Sequence, residues 1–111
     1  MYIADKVDKR GVFLPTNDVI KRSEIVQWVF WQMANLGPML GQCITFNRFA
    51  PETIPYAIER YTKESRRLLE VLERQLARHA ASSPNNVPGK GFICSQDHPS
   101  IADIAVFPWV R

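Results

Sequence analysis

Two thiols, Cys43 and Cys94, and two imidazoles, His79 and His98, are the obvious candidates for nucleophilic or metal chemistry in this 111-residue chain. Their spacing argues against both uses. The sequence has no CxxC pair, and neither histidine has a partner at zinc-ligand spacing. A catalytic thiolate needs a cation or a helix N-terminus beside it, and neither cysteine sits in such a pattern. Reduced, buried thiols are expected, and a disulfide between the two remains open on count alone. No residue is assigned to catalysis and none to a metal. Ser100 and Asp103 have a structural spacing instead. Lying at N-cap and N3 just ahead of an apolar run, they form a capping box with Asp in place of the usual Glu.

The charge balance narrows the partners. Fourteen Lys and Arg stand against eleven Asp and Glu, a net charge of +3, with both signs interleaved. Nucleic-acid binding would gather the cations on one face, and no such block is present. Apolar residues at 46% and charged residues at 23% describe one globular domain and exclude a disordered chain. No run reaches 18 apolar residues, so no membrane span is expected. The first ten residues lack the apolar core of a secretory signal. A cytoplasmic protein is the expectation.

The elements that position these residues are helical. Residues 1–6 read as the tail of an element and 7–17 as a linker, with Gly11 and Pro15 as punctuation. A first long helix is expected over 18–41, capped by Thr16 or Asn17. Its run Val26-Gln27-Trp28-Val29-Phe30-Trp31-Gln32-Met33 is apolar on nearly every side and needs several neighbours. Gly37, Pro38 and Gly41 predict a kink or break near its end, followed by a short connector at 46–50. A second helix is expected over 51–80, with Pro51 in its first turn. Ile54, Ile58, Tyr61, Leu68, Leu72 and Leu76 form its apolar stripe, with Leu69 beside them. The opposite face carries Lys63, Arg66, Arg67, Glu70, Glu73 and Arg74, a solvated face first and a binding surface second. The i,i+4 pairs Glu59–Lys63 and Glu70–Arg74 are expected there. Breakers mark a loop over 81–99, in which Phe92-Ile93-Cys94 is an apolar island predicted to tuck back onto the bundle. Ser100 opens a third helix that stops in mid-pattern at Arg111. Trp28, Leu72 and Ile104 are expected to share one interior. The fold class is all-α.

Several stretches carry a resemblance to the cytosolic glutathione transferases. Gln27-Trp28-Val29-Phe30-Trp31-Gln32 with Leu36-Gly37-Pro38-Met39-Leu40-Gly41-Gln42 resembles the first helix of the family's C-terminal domain. Ala50-Pro51-Glu52 with Ile54-Pro55-Tyr56-Ala57-Ile58-Glu59-Arg60-Tyr61 resembles its second. Ser100-Ile101-Ala102-Asp103-Ile104-Ala105 resembles the N-capping motif of its central helix, and Tyr2-Ile3-Ala4-Asp5 the last turn of the preceding thioredoxin-like domain. The similarity is greatest to the branch of Nu-type disulfide-bond reductases and yeast nitrogen-regulator-like proteins. It implies a C-terminal helical bundle at 18–111, truncated to two long helices and the start of a third, with residues 1–6 a remnant of the other domain.

The resemblance also implies a function. The parent protein would use glutathione as co-substrate, for conjugation to a hydrophobic electrophile or for disulfide reduction, and would act as a homodimer without metal. Arg60 corresponds to the family's arginine contact to glutathione. A guanidinium suits that role, because glutathione carries two carboxylates that accept forked hydrogen bonds. The alternative for Arg60 is solvation of its helix or pairing with Glu64. Met39, Gln42, Phe46 and Phe49 correspond to the acceptor pocket, with core packing as the alternative for each. Relatives often carry Asn-His-His after the position of Gln42; Cys43-Ile44-Thr45 stands here, so no polar acceptor contact is implied at that point. Arg48 replaces a frequent His, and Pro99 a usual aromatic. A competing reading is a non-catalytic helical interaction module. The family's thiolate-steadying residues belong to the thioredoxin-like domain, so the 111-residue chain alone is expected to be inactive. An absorbance assay with glutathione and a chlorinated aromatic acceptor checks this, and measurable turnover contradicts it.

Overall fold

A computed structural model describes residues 1–81, 91–95 and 97–111. The breaker-rich stretch 82–90 lies outside the described residues. Among the described residues there are helices and no strands: α1 Tyr2–Val7, α2 Val19–Trp31, α3 Gly37–Ile44, α4 Pro55–Ala81 and α5 Ile101–Val110. Two π-helical turns, Gln32–Leu36 and Thr45–Phe49, join α2 to α3 and extend α3, so one continuous rod runs from Val19 to Phe49. No helix among the described residues is long and apolar enough to cross a membrane.

The start of the rod follows from local chemistry, though not from the residues expected. Asp18, with extended φ and ψ, caps α2 by accepting from the Lys21 N–H at 2.9 Å, in place of Thr16 or Asn17. The linker before it is tied at both ends. The Asp8 carboxylate accepts the backbone N–H groups of Val12, Phe13 and Leu14 at 3.0, 2.6 and 3.1 Å. Partial desolvation works to raise the Asp8 pKa, but these backbone donors outweigh it and hold the carboxyl below its ordinary value. Gly11, at φ +64°, supplies the left-handed residue this turn requires. Arg22 then reaches back from α2 to Asp5 at 2.8 Å and to the Pro15 carbonyl at 3.1 Å.

The break expected near Pro38 takes the form of the first π turn. Gly37 donates to the Gln32 carbonyl, five residues back, and the helix continues through Pro38 without a connector at 46–50. The extra residue in the turn accommodates a proline that has no N–H to give. The same turn brings the Trp109 indole against Gly37. A Cβ built there would lie 3.1 Å from the ring and 3.0 Å from the Gln32 side-chain amide, so a larger residue would require these side chains to give way by a few tenths of an ångström. The second long helix begins at Pro55, not Pro51. Both prolines suit a first helical turn, but the residue before a proline is pushed out of the helical region, and Ile54 precedes Pro55. Neither Glu59–Lys63 nor Glu70–Arg74 closes as an ion pair; Arg74 donates to the Glu70 backbone carbonyl instead, at 3.3 Å.

The core sits where α2, the first π turn, α4 and α5 meet. Leu14, Ile25, Leu36, Leu68, Leu72, Ala102 and Val106 are buried in it, joined by Ile93 and Cys94 from the island before α5, as predicted. Trp28 packs against this cluster and makes an edge-on contact with Trp31, with ring centroids 5.0 Å apart. Ile104 does not share the interior with Trp28 and Leu72. It is 57% exposed, because the α5 face that turns inward is the one carrying Ala102 and Val106. Leu69 likewise points out, one position off the buried stripe of α4.

The expected capping box forms at α5. The Ser100 and Asp103 side chains each accept the other's backbone N–H, and the Ser100 hydroxyl also donates to Asp103 at 2.8 Å. The second Asp103 oxygen accepts the Ile93 N–H at 2.8 Å, and the Ile93 carbonyl accepts from Gln75 of α4 at 2.7 Å. Asp103 therefore serves two segments and Ser100 one. Ser100→Ala is expected to cost about 1 kcal/mol. Asp103→Ala is expected to cost about 2–3 kcal/mol, since it also strips a partner from the buried Ile93 N–H. Urea unfolding followed by circular dichroism checks the order; equal losses contradict it.

Candidate functional site

The α3 rod and α4 lie side by side, and their seam is closed by polar and aromatic contacts. The Ser65 hydroxyl donates to the Met39 carbonyl at 3.4 Å. Cys43 Sγ lies 3.7 Å from the Thr62 hydroxyl. Phe46 stacks on Tyr61 with ring centroids 5.4 Å apart and planes 9° from parallel. The second π turn carries Phe46 to this position. Its backbone is held by Thr45, which donates through its hydroxyl to the Gly41 carbonyl at 2.9 Å, and by Asn47, which donates to the Cys43 carbonyl at 2.8 Å.

Beside this seam runs a groove of about 590 Å³, lined by Met39 and by Arg60, Tyr61, Lys63, Glu64, Arg67 and further α4 residues. Four cations and two carboxylates line it, so it is net positive. Glu64 and Arg67 are locked together in a fork, with Arg67 Nε to Glu64 Oε2 at 2.8 Å and the Arg67 Nη2 to Oε1 at 2.7 Å. The Arg67 hydrogen bonds, with the Arg67 and Arg60 charges adding to them, hold the Glu64 carboxyl below its ordinary pKa against the opposing effect of desolvation. Arg60 is exposed and has no hydrogen-bond or ion-pair partner among the described residues. The alternative in which Glu64 occupies it is not what the structure contains.

The five residues singled out in the sequence are thus distributed unevenly. Met39 and Arg60 share the groove, and Phe46 borders it through its stack on Tyr61. Gln42 is exposed outside the groove lining, and Phe49, 74% exposed at the end of the rod, also lies apart from it. Sequence reasoning set Lys63 and Arg67 aside as solvated charges. Their spacing of three and seven residues from Arg60 places all three on one helical face, which was the available signal.

The family "Glutathione S-transferase, C-terminal domain" matches residues 55–111. The chain belongs to this family. Among curated proteins, it is 46% identical over its whole length to the disulfide-bond oxidoreductase YfcG of Escherichia coli (strain K12), of which it covers 44%. It is 39% identical over 98% of its length to the disulfide-bond oxidoreductase YghU of the same organism, of which it covers 32%. Among solved structures, a glutathione transferase of Burkholderia graminis with two bound glutathione molecules per subunit matches 99% of the chain, with a TM-score of 0.79 and 39% identity, over 40% of its own length. A homologue from Lodderomyces elongisporus, also with two glutathione molecules per subunit, matches 97% of the chain at a TM-score of 0.83 and 30% identity, over 46% of its own length. The chain spans less than half the length of these relatives.

Within this transferase-type domain both cysteines are free. Cys94 is 4% exposed, and its burial, with the nearby charges of Glu24 and Asp103, pushes the thiol up to about 12. It stays protonated throughout the neutral range and is no nucleophile. His79 and His98 serve locally. His79 Nε2 lies 3.4 Å from the Gln75 amide, and His98 Nδ1 lies 3.4 Å from the Pro99 carbonyl. With an aromatic disulfide reagent at pH 8, the native chain is expected to titrate only Cys43, and the second thiol to appear on unfolding. Cys94→Ala should leave the native count unchanged; a fall in that count contradicts the assignment.

Proposed function

We propose that this domain serves a glutathione-dependent thiol enzyme, either a transferase or a disulfide reductase. Arg60 receives a carboxylate of glutathione, and Met39 with the Phe46–Tyr61 stack forms the adjoining acceptor wall. The observation that carries the reading is the free Arg60 guanidinium, set in a net positive groove beside an apolar side chain. A guanidinium with open donors fits one end of a tripeptide that carries two carboxylates. The names of the relatives, disulfide-bond oxidoreductases and glutathione-bound transferases, support the same reading.

In disulfide reduction, the glutathione thiolate attacks one sulfur of the acceptor. A new S–S bond forms and the second sulfur leaves as a thiolate. In conjugation, a C–S bond forms as the leaving group departs from an electrophilic carbon. This chain positions the substrate and shields the acceptor; no thiolate-steadying residue is assigned to it. A homodimer in the cytoplasm belongs to the proposal, and the exposed Val19, Ile20, Phe30 and Met33 along the rod offer apolar surface that an assembly would cover. The same surface supports the second reading, a non-catalytic interaction module.

An NMR titration of the chain with millimolar glutathione tests the choice. Saturable shifts are expected at the Arg60 side chain and at Met39, and Arg60→Gln is expected to weaken them about tenfold. Binding in Arg60→Gln equal to that of the wild type removes the Arg60 contact and favours the module.

A further inference from the structure

Arg60 stands four residues before Glu64 on one face of α4, at the distance where a carboxylate and a guanidinium normally pair. Glu64 nevertheless bonds only to Arg67, through two short, parallel contacts of 2.7 and 2.8 Å. The choice has a physical basis. An acidic residue placed N-terminal to its basic partner along the helix makes the better pair, and Glu64–Arg67 has that order while Arg60–Glu64 has the reverse. A forked contact also satisfies both carboxylate oxygens at once. All three side chains line the same groove.

We propose that Arg67 is a positioning residue: by sequestering Glu64 in a fork, it keeps the Arg60 guanidinium open to the groove for an incoming carboxylate. The proposal rests on the reading of Arg60 as a glutathione contact. Arg67 itself does not touch the ligand. Its removal releases a carboxylate one helical turn from Arg60, and Glu64 then competes with the substrate for the same donors. An exposed pair of this kind is weak, so the effect on affinity is moderate. The Arg67 and Glu64 side chains are both partly exposed, and substituting them leaves the buried core untouched.

The test is the glutathione titration repeated on Arg67→Gln and on the double variant Arg67→Gln/Glu64→Gln. The first is expected to bind about two- to fivefold more weakly than the wild type. The double variant is expected to bind as well as the wild type, because the competing carboxylate is gone. Unchanged affinity in Arg67→Gln overturns the proposal. Weak binding that persists in the double variant also overturns it, since the loss then belongs to Arg67 itself. Either result leaves the Arg60 reading standing, whereas wild-type affinity in Arg60→Gln removes that reading and the proposal with it. A readout without ligand separates the two further. The Glu64 carboxyl, followed by carbon NMR against pH, is expected to stay depressed in Arg67→Gln and to return to its ordinary range only in Arg60→Gln/Arg67→Gln. A full return in Arg67→Gln alone shows that Glu64 never moves to Arg60 and overturns the competition.

Discussion

The carboxylate of Asp103 is the joint on which the assembly of this domain depends. The first residue of the α5 cap, Ser100, is 1% exposed, so its polar groups have no water to turn to and must be paired inside the protein. Asp103 pairs the Ser100 N–H and hydroxyl through one oxygen and the Ile93 N–H through the other. Gln75 holds the Ile93 carbonyl from the opposite side. A continuous path of hydrogen bonds therefore runs from α4 through the 91–95 segment to α5. It fixes the depth at which Ala102 and Val106 meet Leu68 and Leu72, which is the centre of the core. Gly91 makes the path possible at its near end, since a Cβ there would fall 2.8 Å from the Leu76 carbonyl of α4. Hydrophobic burial supplies the driving force for this packing, but it is indifferent to register, and the buried polar path sets the register.

What the sequence makes legible divides along the same line. The capping box was readable because its chemistry is complete within four consecutive residues. The inward turn of Ile93 and Cys94 was readable because an apolar island beside a bundle has one stable place to go. The ends of the long helices were not. Pro38 announces a missing donor, but a helix can answer by breaking or by widening one turn; here the turn widens, and it sets Gly37 against the Trp109 ring from far along the chain. Pro51 and Pro55 both satisfy a first-turn rule, and only the restriction that Pro55 places on Ile54 separates them. The side of α5 that faces inward was illegible for a different reason. Ile101-Ala102-Asp103-Ile104-Ala105-Val106-Phe107 is apolar almost all round, so no stripe distinguishes Ile104 from Val106 until the partner helices are in place.

The groove repeats the lesson in electrostatic form. By composition, Arg60 is one cation among several on α4, and the family resemblance alone raised it above the others. The structure supplies a physical distinction: Arg67 is forked to Glu64 through two of its donors, while Arg60 keeps its donors free. Ion-pair partners on a helix follow residue order as well as spacing, and order was present in the sequence from the start. Phe49 shows the opposite case. Its spacing from Phe46 is suitable for a shared pocket, but the π turn ends the rod there and sends the ring into solvent.

The seam that holds the groove and the apolar faces that remain open are separate parts of the molecule. The groove lies along α3 and α4, whose contact is closed by Met39 with Ser65, Cys43 with Thr62 and Phe46 with Tyr61. The open faces lie elsewhere. A second cleft of about 400 Å³, lined by Leu76, Phe92, Ile104, Phe107 and Val110, is almost wholly apolar and offers no charged donor suited to a carboxylate. Whatever covers that cleft changes the water exposure of α5 and the total apolar burial, both stability terms. It leaves the Arg60–Glu64–Arg67 geometry as it is, because those three residues sit on one rigid stretch of α4 and take their arrangement from helix periodicity and one fork. The charge pattern of the groove is thus a local property of α4, and it stands apart from the packing that decides how firmly the domain holds together.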